Sequence, residues 1–181
     1  MEHEDHVRFL QDVVKPSKDA LWADVGCGEG AFTLALADCL YGHGTIHALD
    51  QSIDALETLW DAMQAQFPNI LLKAHEADFN RPLPFPRELQ GLVIANALHF
   101  VPYERQIFVL INLIRHVRVG GAVILVEYNS AWGNKAVPYP ISMARWATLA
   151  AQIFASEPTT LWQYNSRFMG EIYSSVIYRE L

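Results

Sequence analysis

Ala23-Asp24-Val25-Gly26-Cys27-Gly28-Glu29-Gly30 is the stretch on which the fold of this chain turns. The apolar run Ala20-Leu21-Trp22-Ala23 leads into it, and Ala31-Phe32-Thr33-Leu34-Ala35-Leu36-Ala37 leads out with helical character. Strand, glycine turn and helix in that order form the opening unit of a nucleotide-binding α/β fold. Glycines at alternate positions remove Cβ where the chain turns sharply and lies flat against a ligand. The helix that follows presents unpaired N–H groups and the positive end of its dipole, which suit a carboxylate or a phosphate.

Two readings of the turn compete. Gly26, Gly28 and Ala31 fit the dinucleotide pattern G-x-G-x-x-G/A, while Asp24, Gly26, Gly28 and Gly30 fit Asp-x-Gly-x-Gly-x-Gly. A carboxylate just before the turn repels a pyrophosphate and suits a ligand that carries an ammonium and a sulfonium. In the second form the stretch resembles motif I of the class I S-adenosylmethionine-dependent methyltransferases. That resemblance implies S-adenosylmethionine as cofactor, bound along Asp24, Gly26, Cys27, Gly28 and Gly30. An NAD-dependent oxidoreductase and a non-catalytic protein that only binds the cofactor stay open as alternatives.

Composition narrows the choice. Of 181 residues, 51% are hydrophobic, enough to bury a full core in a single domain spanning 1–181. No apolar run reaches the ~18 residues of a membrane span. The start, Met1-Glu2-His3-Glu4-Asp5-His6, is acidic and polar, so no signal peptide is expected, and its histidines read as a mobile terminus rather than a metal site. Only Cys27 and Cys39 are present. They imply no disulfide framework, and a reduced cytoplasmic setting is the expectation. Nothing near Cys27 in sequence would activate its thiol, so it also reads as a small packing residue. The formal net charge of −7 argues against a nucleic-acid partner, since that affinity rests on Lys and Arg neutralising phosphates. A small-molecule acceptor is expected, with the protein a monomer or homodimer away from membranes.

Taken in order, residues 5–14 put Phe9, Leu10, Val13 and Val14 on one helical face, ended by Pro16 and Ser17; residues 1–16 read as an N-terminal helix or lid. A strand to residue 25 precedes a helix over about 31–40, closed at Tyr41-Gly42-His43-Gly44. A strand at 45–49 ends in Asp50, and Ser52 opens a helix running to residue 67. A strand follows at 70–76. The loop at 80–86 holds Pro82, Pro84 and Pro86 and cannot be a central strand. Residues 91–95 read as a doubly covered strand, 103–117 as a helix stopped by Gly120-Gly121, and 122–126 as the next strand. The irregular, aromatic stretch from 130 leads into a helix at about 141–155, so 130–158 reads as the substrate-side loop and helix. Runs at about 160–164 and 172–178 complete the chain. Strand alternates with helix, which predicts a doubly wound parallel sheet with helices on both faces. The resemblance adds a Rossmann-like seven-stranded sheet in the order 3-2-1-4-5-7-6 with strand 7 antiparallel.

In open α/β sheets ligands bind beyond the carboxyl ends of the strands. Those ends are polar here: Asp24, Asp50, Asp78, Asn96 and Glu127. Asp50, with Gln51 beside it, can accept from both hydroxyls of a ribose, which NAD and S-adenosylmethionine share. Asp78 can accept from an adenine amine and Phe79 can cover the base, as the resemblance implies for the residues after the third strand. Asn96-Ala97-Leu98-His99-Phe100-Val101 resembles the segment after strand 4 in small-molecule members. It makes Asn96 the contact to the methionine part and His99 a candidate general base. Glu127 is the second catalytic candidate. The Asn-Pro-Pro-Tyr typical of base-modifying relatives is absent, which points away from nucleic-acid bases. Tyr128, Trp132 and Tyr139 offer apolar faces to an acceptor, as does Trp146, and Arg145 offers a cation to an anionic one.

Overall fold

The computed structural model describes residues 1–166 and 168–180. The chain runs α1 (His3–Arg8), β1 (Leu21–Val25), α2 (Ala31–Cys39), β2 (Gly44–Asp50), α3 (Ile53–Gln66), β3 (Ile70–Glu76) and β4 (Leu89–Ala95). After a 3-10 turn at Leu98–Phe100 come α4 (Tyr103–Ile114), β5 (Val117–Tyr128), α5 (Met143–Ala150), β6 (Thr159–Ser166) and β7 (Gly170–Tyr178). The strands make one seven-stranded sheet in the order β3-β2-β1-β4-β5-β7-β6. β1 to β5 pair in parallel, and β7 runs antiparallel between β5 and β6. The parallel part follows from the strand–helix alternation, and the strand order with an antiparallel β7 is the one the family resemblance implies.

Central strands are apolar on both faces because both faces are covered. Ala23, Val25, Leu92 and Val93 are each 0% exposed. Phe9, Leu10, Leu36, Leu59 and Met63 from α1 to α3 and the turn after α1 pack on one side; Leu110, Leu113, Trp146 and Leu149 from α4 and α5 pack on the other. Ser52 caps α3 as its position predicts, its Oγ accepting from Ala55 N at 3.2 Å. Among the described residues no helix is long and apolar enough to cross a membrane.

Four local expectations are corrected. Regular helix in the N-terminal segment ends at Arg8, and turns carry the chain onward, with Val13 N donating to Leu10 O. Phe9, Leu10 and Val14 are nonetheless buried. The strand–helix alternation lapses between β3 and β4, where the proline loop crosses without a helix and plugs Phe85 into the core.

Gly120-Gly121 is not a helix-to-strand turn. Both glycines lie inside β5, at a register shift between Leu89 and Gly91 of β4. Gly120 sits at φ +75°, and a Cβ on Gly121 would come within 2.6 Å of Val117 Cγ1 and 2.9 Å of Gln90 O. The pair serves a bulge that swings the strand before it enters the core. Finally, α5 is shorter than 141–155, starting after its cap Ser142, whose Oγ accepts from Arg145 N at 3.2 Å.

Candidate functional site

The glycine turn is tied to the next strand over, because Gly26 N and Cys27 N both donate to Leu49 O, at 2.7 and 3.0 Å. Gly26, Gly28 and Gly30 all adopt positive φ, at +71°, +51° and +94°. A Cβ on Gly26 would lie 2.5 Å from Ala97 Cβ, whereas one on Gly28 would meet nothing within 4 Å. Gly26 is therefore a close approach between the ends of β1 and β4, and Gly28 borders open space. No side chain caps α2, which leaves its first N–H groups to a ligand.

A cavity of about 210 Å³ opens at this rim, lined by Gly26, Asp50, Gln51, Phe79, Asn96, Ala97 and Phe100. The ends of β1, β2, β3 and β4 thus converge on one space. A cavity of about 290 Å³ lies between α5 and the β6–β7 pair and contains none of the strand-end residues singled out in the sequence.

Asp50 accepts from Gly28 N at 2.8 Å through Oδ2 and from Ser52 N at 3.0 Å through Oδ1. Each oxygen keeps a further lone pair for a ligand. Asp24 is 1% exposed; its Oδ2 accepts from the Thr33 hydroxyl at 2.6 Å and its Oδ1 has no partner. Burial pushes the Asp24 carboxyl up to about 7, the Thr33 hydrogen bond restrains the rise, and the nearby Asp50 charge adds to it. Asn96 holds φ +51°, unusual for a side-chain-bearing residue, and its N donates to Val126 O at 2.9 Å. Its Oδ1 is also buried without a partner. Each orphaned acceptor is costly unless a donor or a cation arrives; Asn96 belongs to the cavity lining, and Asp24 lies two residues before Gly26, which also lines it.

Asp78 Oδ1 accepts from Asn80 N at 2.8 Å and Asn80 Nδ2 at 2.7 Å, bracing its own loop, and Oδ2 faces Arg81 Nε at 3.9 Å; Phe79 beside it lines the cavity. Cys27 packs in the core, and burial raises its thiol far above the ordinary range.

His99 and Glu127 form a buried pair, 3% and 0% exposed. Glu127 Oε1 accepts from His99 N at 3.1 Å, and Oε2 lies 2.7 Å from His99 Nδ1. A carboxylate only accepts, so Nδ1 carries the proton and Nε2 is the basic nitrogen.

On the expected substrate side, Arg145 Nε donates to Gln106 Oε1 at 2.7 Å, Nη2 donates to Tyr103 O at 2.8 Å, and the guanidinium stacks 4.3 Å over the Tyr103 ring. It locks α5 to α4, and no part of it lines the cavity. Trp146 is a core residue, 1% exposed, with Nε1 donating to Ser175 Oγ at 3.1 Å. Tyr139 packs edge-on to Tyr103 and its N donates to His99 O at 3.0 Å. Tyr128 is half-buried and Trp132 is 83% exposed. Ala97 and Phe100 line the cavity without having been singled out. Phe100 carried a usable signal, an aromatic at a strand-end turn; Ala97 carried none, since its closeness to Gly26 exists only in three dimensions.

A family model described as a methyltransferase domain matches residues 23–121. No curated protein matches the chain in sequence. Among solved structures, 1,6-didemethyltoxoflavin-N1-methyltransferase from Burkholderia thailandensis aligns at TM-score 0.75 and 14% identity, over 98% of this chain and 80% of that one. Magnesium protoporphyrin IX methyltransferase from Synechocystis PCC 6803 aligns at TM-score 0.68 and 17% identity, over 96% and 77%. An S-adenosylmethionine-dependent methyltransferase from Clostridium acetobutylicum ATCC 824 aligns at TM-score 0.70 and 10% identity, over 100% and 93%. At such identities the likeness is one of fold.

Proposed function

This chain belongs to the methyltransferase-domain family, and from that premise we propose that it moves a methyl group from S-adenosylmethionine to a small-molecule acceptor. The observation that carries the cofactor assignment is the pair of unpartnered buried oxygens, Asp24 Oδ1 and Asn96 Oδ1, flanking a left-handed glycine turn. A cofactor with an ammonium supplies the donor and the charge they lack; a pyrophosphate supplies neither.

When bound, S-adenosylmethionine supplies a methyl group already activated on a sulfonium. The residues of this chain hold and orient it. Asp50 accepts from the ribose hydroxyls with the lone pairs that Gly28 and Ser52 leave free. Asp24 and Asn96 serve the methionine part, and Phe79 covers the adenine, with Asp78 holding the loop that presents it. Gln51 and Phe100 complete the wall. Alignment of donor and acceptor supplies ~7–11 kcal/mol of the barrier reduction. For an acceptor that arrives protonated, the candidate base is Nε2 of His99, whose Nδ1 faces Glu127; His99 is buried outside the cavity lining and adjoins it through its neighbour Phe100. The net charge of −7, and the small acceptors named for the Burkholderia and Synechocystis enzymes, support a small acceptor here.

Calorimetry with S-adenosylhomocysteine and with NAD tests the reading. S-adenosylhomocysteine is expected to bind, and Asp50→Ala to weaken it by about 1.5–3 kcal/mol, the scale of hydrogen bonds to a charged group. Binding of NAD without binding of S-adenosylhomocysteine would overturn it.

A further inference from the structure

We propose that four rings at the carboxyl edge of the sheet form a shelf for a planar, neutral aromatic or heteroaromatic acceptor. The proposal rests on the methyltransferase reading and names its substrate class. The shelf begins at Phe100, which lines the cavity at the strand ends and is 59% exposed. Its ring centroid lies 4.4 Å from that of His99, tilted 52°. His99 lies 6.4 Å from Tyr128, tilted 53°. Tyr128 lies 6.0 Å from Phe168, tilted 55°. Phe168, in the turn between β6 and β7, is 61% exposed. The row thus draws on the turn after β4, the end of β5, and the β6–β7 turn. That last turn reaches this edge because β7 runs antiparallel to β5.

Core packing does not account for the two ends of the row. Phe100 and Phe168 both leave most of their surface in water, while His99 is buried and Tyr128 half-buried between them. With His99 buried as the support, the rings open to a ligand are Phe100, Phe168 and part of Tyr128, an exposed aromatic edge beside the cavity of the strand ends. The row's ring separations are those at which aromatic groups pack edge-to-face or offset, about 4.5–7 Å. A flat ligand laid on this edge can pack on the exposed faces of Phe100, Tyr128 and Phe168, and a saturated ring of the same size forgoes the quadrupole contribution. Phe100 belongs to both shelf and cavity, so a ligand on the shelf extends into the space proposed for the methyl donor. A neutral ligand is favoured because the cation expected to meet an anion, Arg145, is bonded to Gln106 and Tyr103.

The test measures binding of 2-naphthol and of its saturated counterpart, decahydro-2-naphthol, with and without S-adenosylhomocysteine, to the intact chain and to Phe168→Ala and Phe168→Tyr. Sedimentation of the same samples reads the oligomeric state. The expected result is tighter binding of 2-naphthol than of the saturated alcohol, a loss of roughly five- to tenfold in Phe168→Ala, and recovery in Phe168→Tyr. S-adenosylhomocysteine affinity stays the same in all three proteins. Equal affinity for the two alcohols, or no change in Phe168→Ala, overturns the shelf and leaves the methyltransferase reading standing. A dimer that Phe168→Ala disperses, without selective 2-naphthol binding, overturns it too and assigns the rings to a second copy. Absence of S-adenosylhomocysteine binding while 2-naphthol still follows the Phe168 ring overturns the cofactor reading instead and supports the shelf.

Discussion

At the residue scale, glycines of one turn are needed for different reasons. Gly26 and Gly28 both sit at positive φ, but only Gly26 faces a neighbour, Ala97 Cβ at 2.5 Å from a built Cβ. Gly28→Ala carries the left-handed strain of about 1–2 kcal/mol. Gly26→Ala adds an overpacking cost of about 1–3 kcal/mol, so it should be the less stable variant in urea titrations. Asp24 predicts the opposite sign. Its carboxyl rises from 3.8 to about 7 in the fold, so a stabilising preference for the protonated form is complete below pH 3.8 and is lost as pH rises through 7. Asp24→Asn keeps an oxygen for the Thr33 hydroxyl and cannot ionise. It should be more stable than the parent at pH 8 by on the order of 2 kcal/mol, yet bind S-adenosylmethionine less well. A melting temperature at pH 8 below that of the parent would count against this account.

At the scale of elements, one arginine joins three segments. Arg179 Nη1 donates to Ile114 O and Arg115 O, each at 3.3 Å, and to Val117 O. It satisfies carbonyls that the end of α4 leaves open, while its own backbone N donates to Gly121 O at 2.9 Å. Arg179→Ala should cost about 1.5–3 kcal/mol of stability, and Arg179→Lys less, in denaturant titrations. At this junction the helix expected to run to residue 117 ends at Ile114. Val117 falls on the helical spacing of Leu110, Leu113 and Ile114, but it pairs with Leu89 and begins a strand. A partner remote in sequence outweighed local periodicity.

At the scale of the molecule, the sheet divides the core in two, and one half holds a polar seam. His47 Nδ1 lies 2.9 Å from His75 Nε2, with Phe85 edge-on to both rings. Burial foremost, then the His75 and Lys73 charges, lowers His47 to about 4; burial and then Lys73 lower His75 as well. A lowered histidine favours the neutral form in the fold. Its stabilisation is complete above pH 6.5 and is lost as pH falls toward 4. Asp24 opposes this over the same window, so the parent's stability should change little between pH 7 and 4.5. In Asp24→Asn the lowered histidines, His6 with the pair, act without that opposition, and stability should fall by on the order of 2 kcal/mol across the interval. Urea titrations at the two pH values read the difference, and a flat profile in Asp24→Asn would contradict the role assigned to the histidine pair.

The sequence by itself determined the glycine turn, the cap at Ser52, the apolar central strands and the polar residues at their ends. These are local matters of backbone freedom, side-chain period and strand polarity; the sheet order came only with the family resemblance that the motifs carry. Tertiary structure decided which polar groups remain available to a ligand. Asp24 and Asn96 keep an oxygen unpartnered, whereas Arg145 serves Gln106 and Tyr103. It also gathered Phe100, Tyr128 and Phe168 along one edge. A side chain is committed by whatever lies within about 3 Å of it, and for Arg145 that neighbour, Gln106, comes from a distant part of the chain that no local pattern reaches.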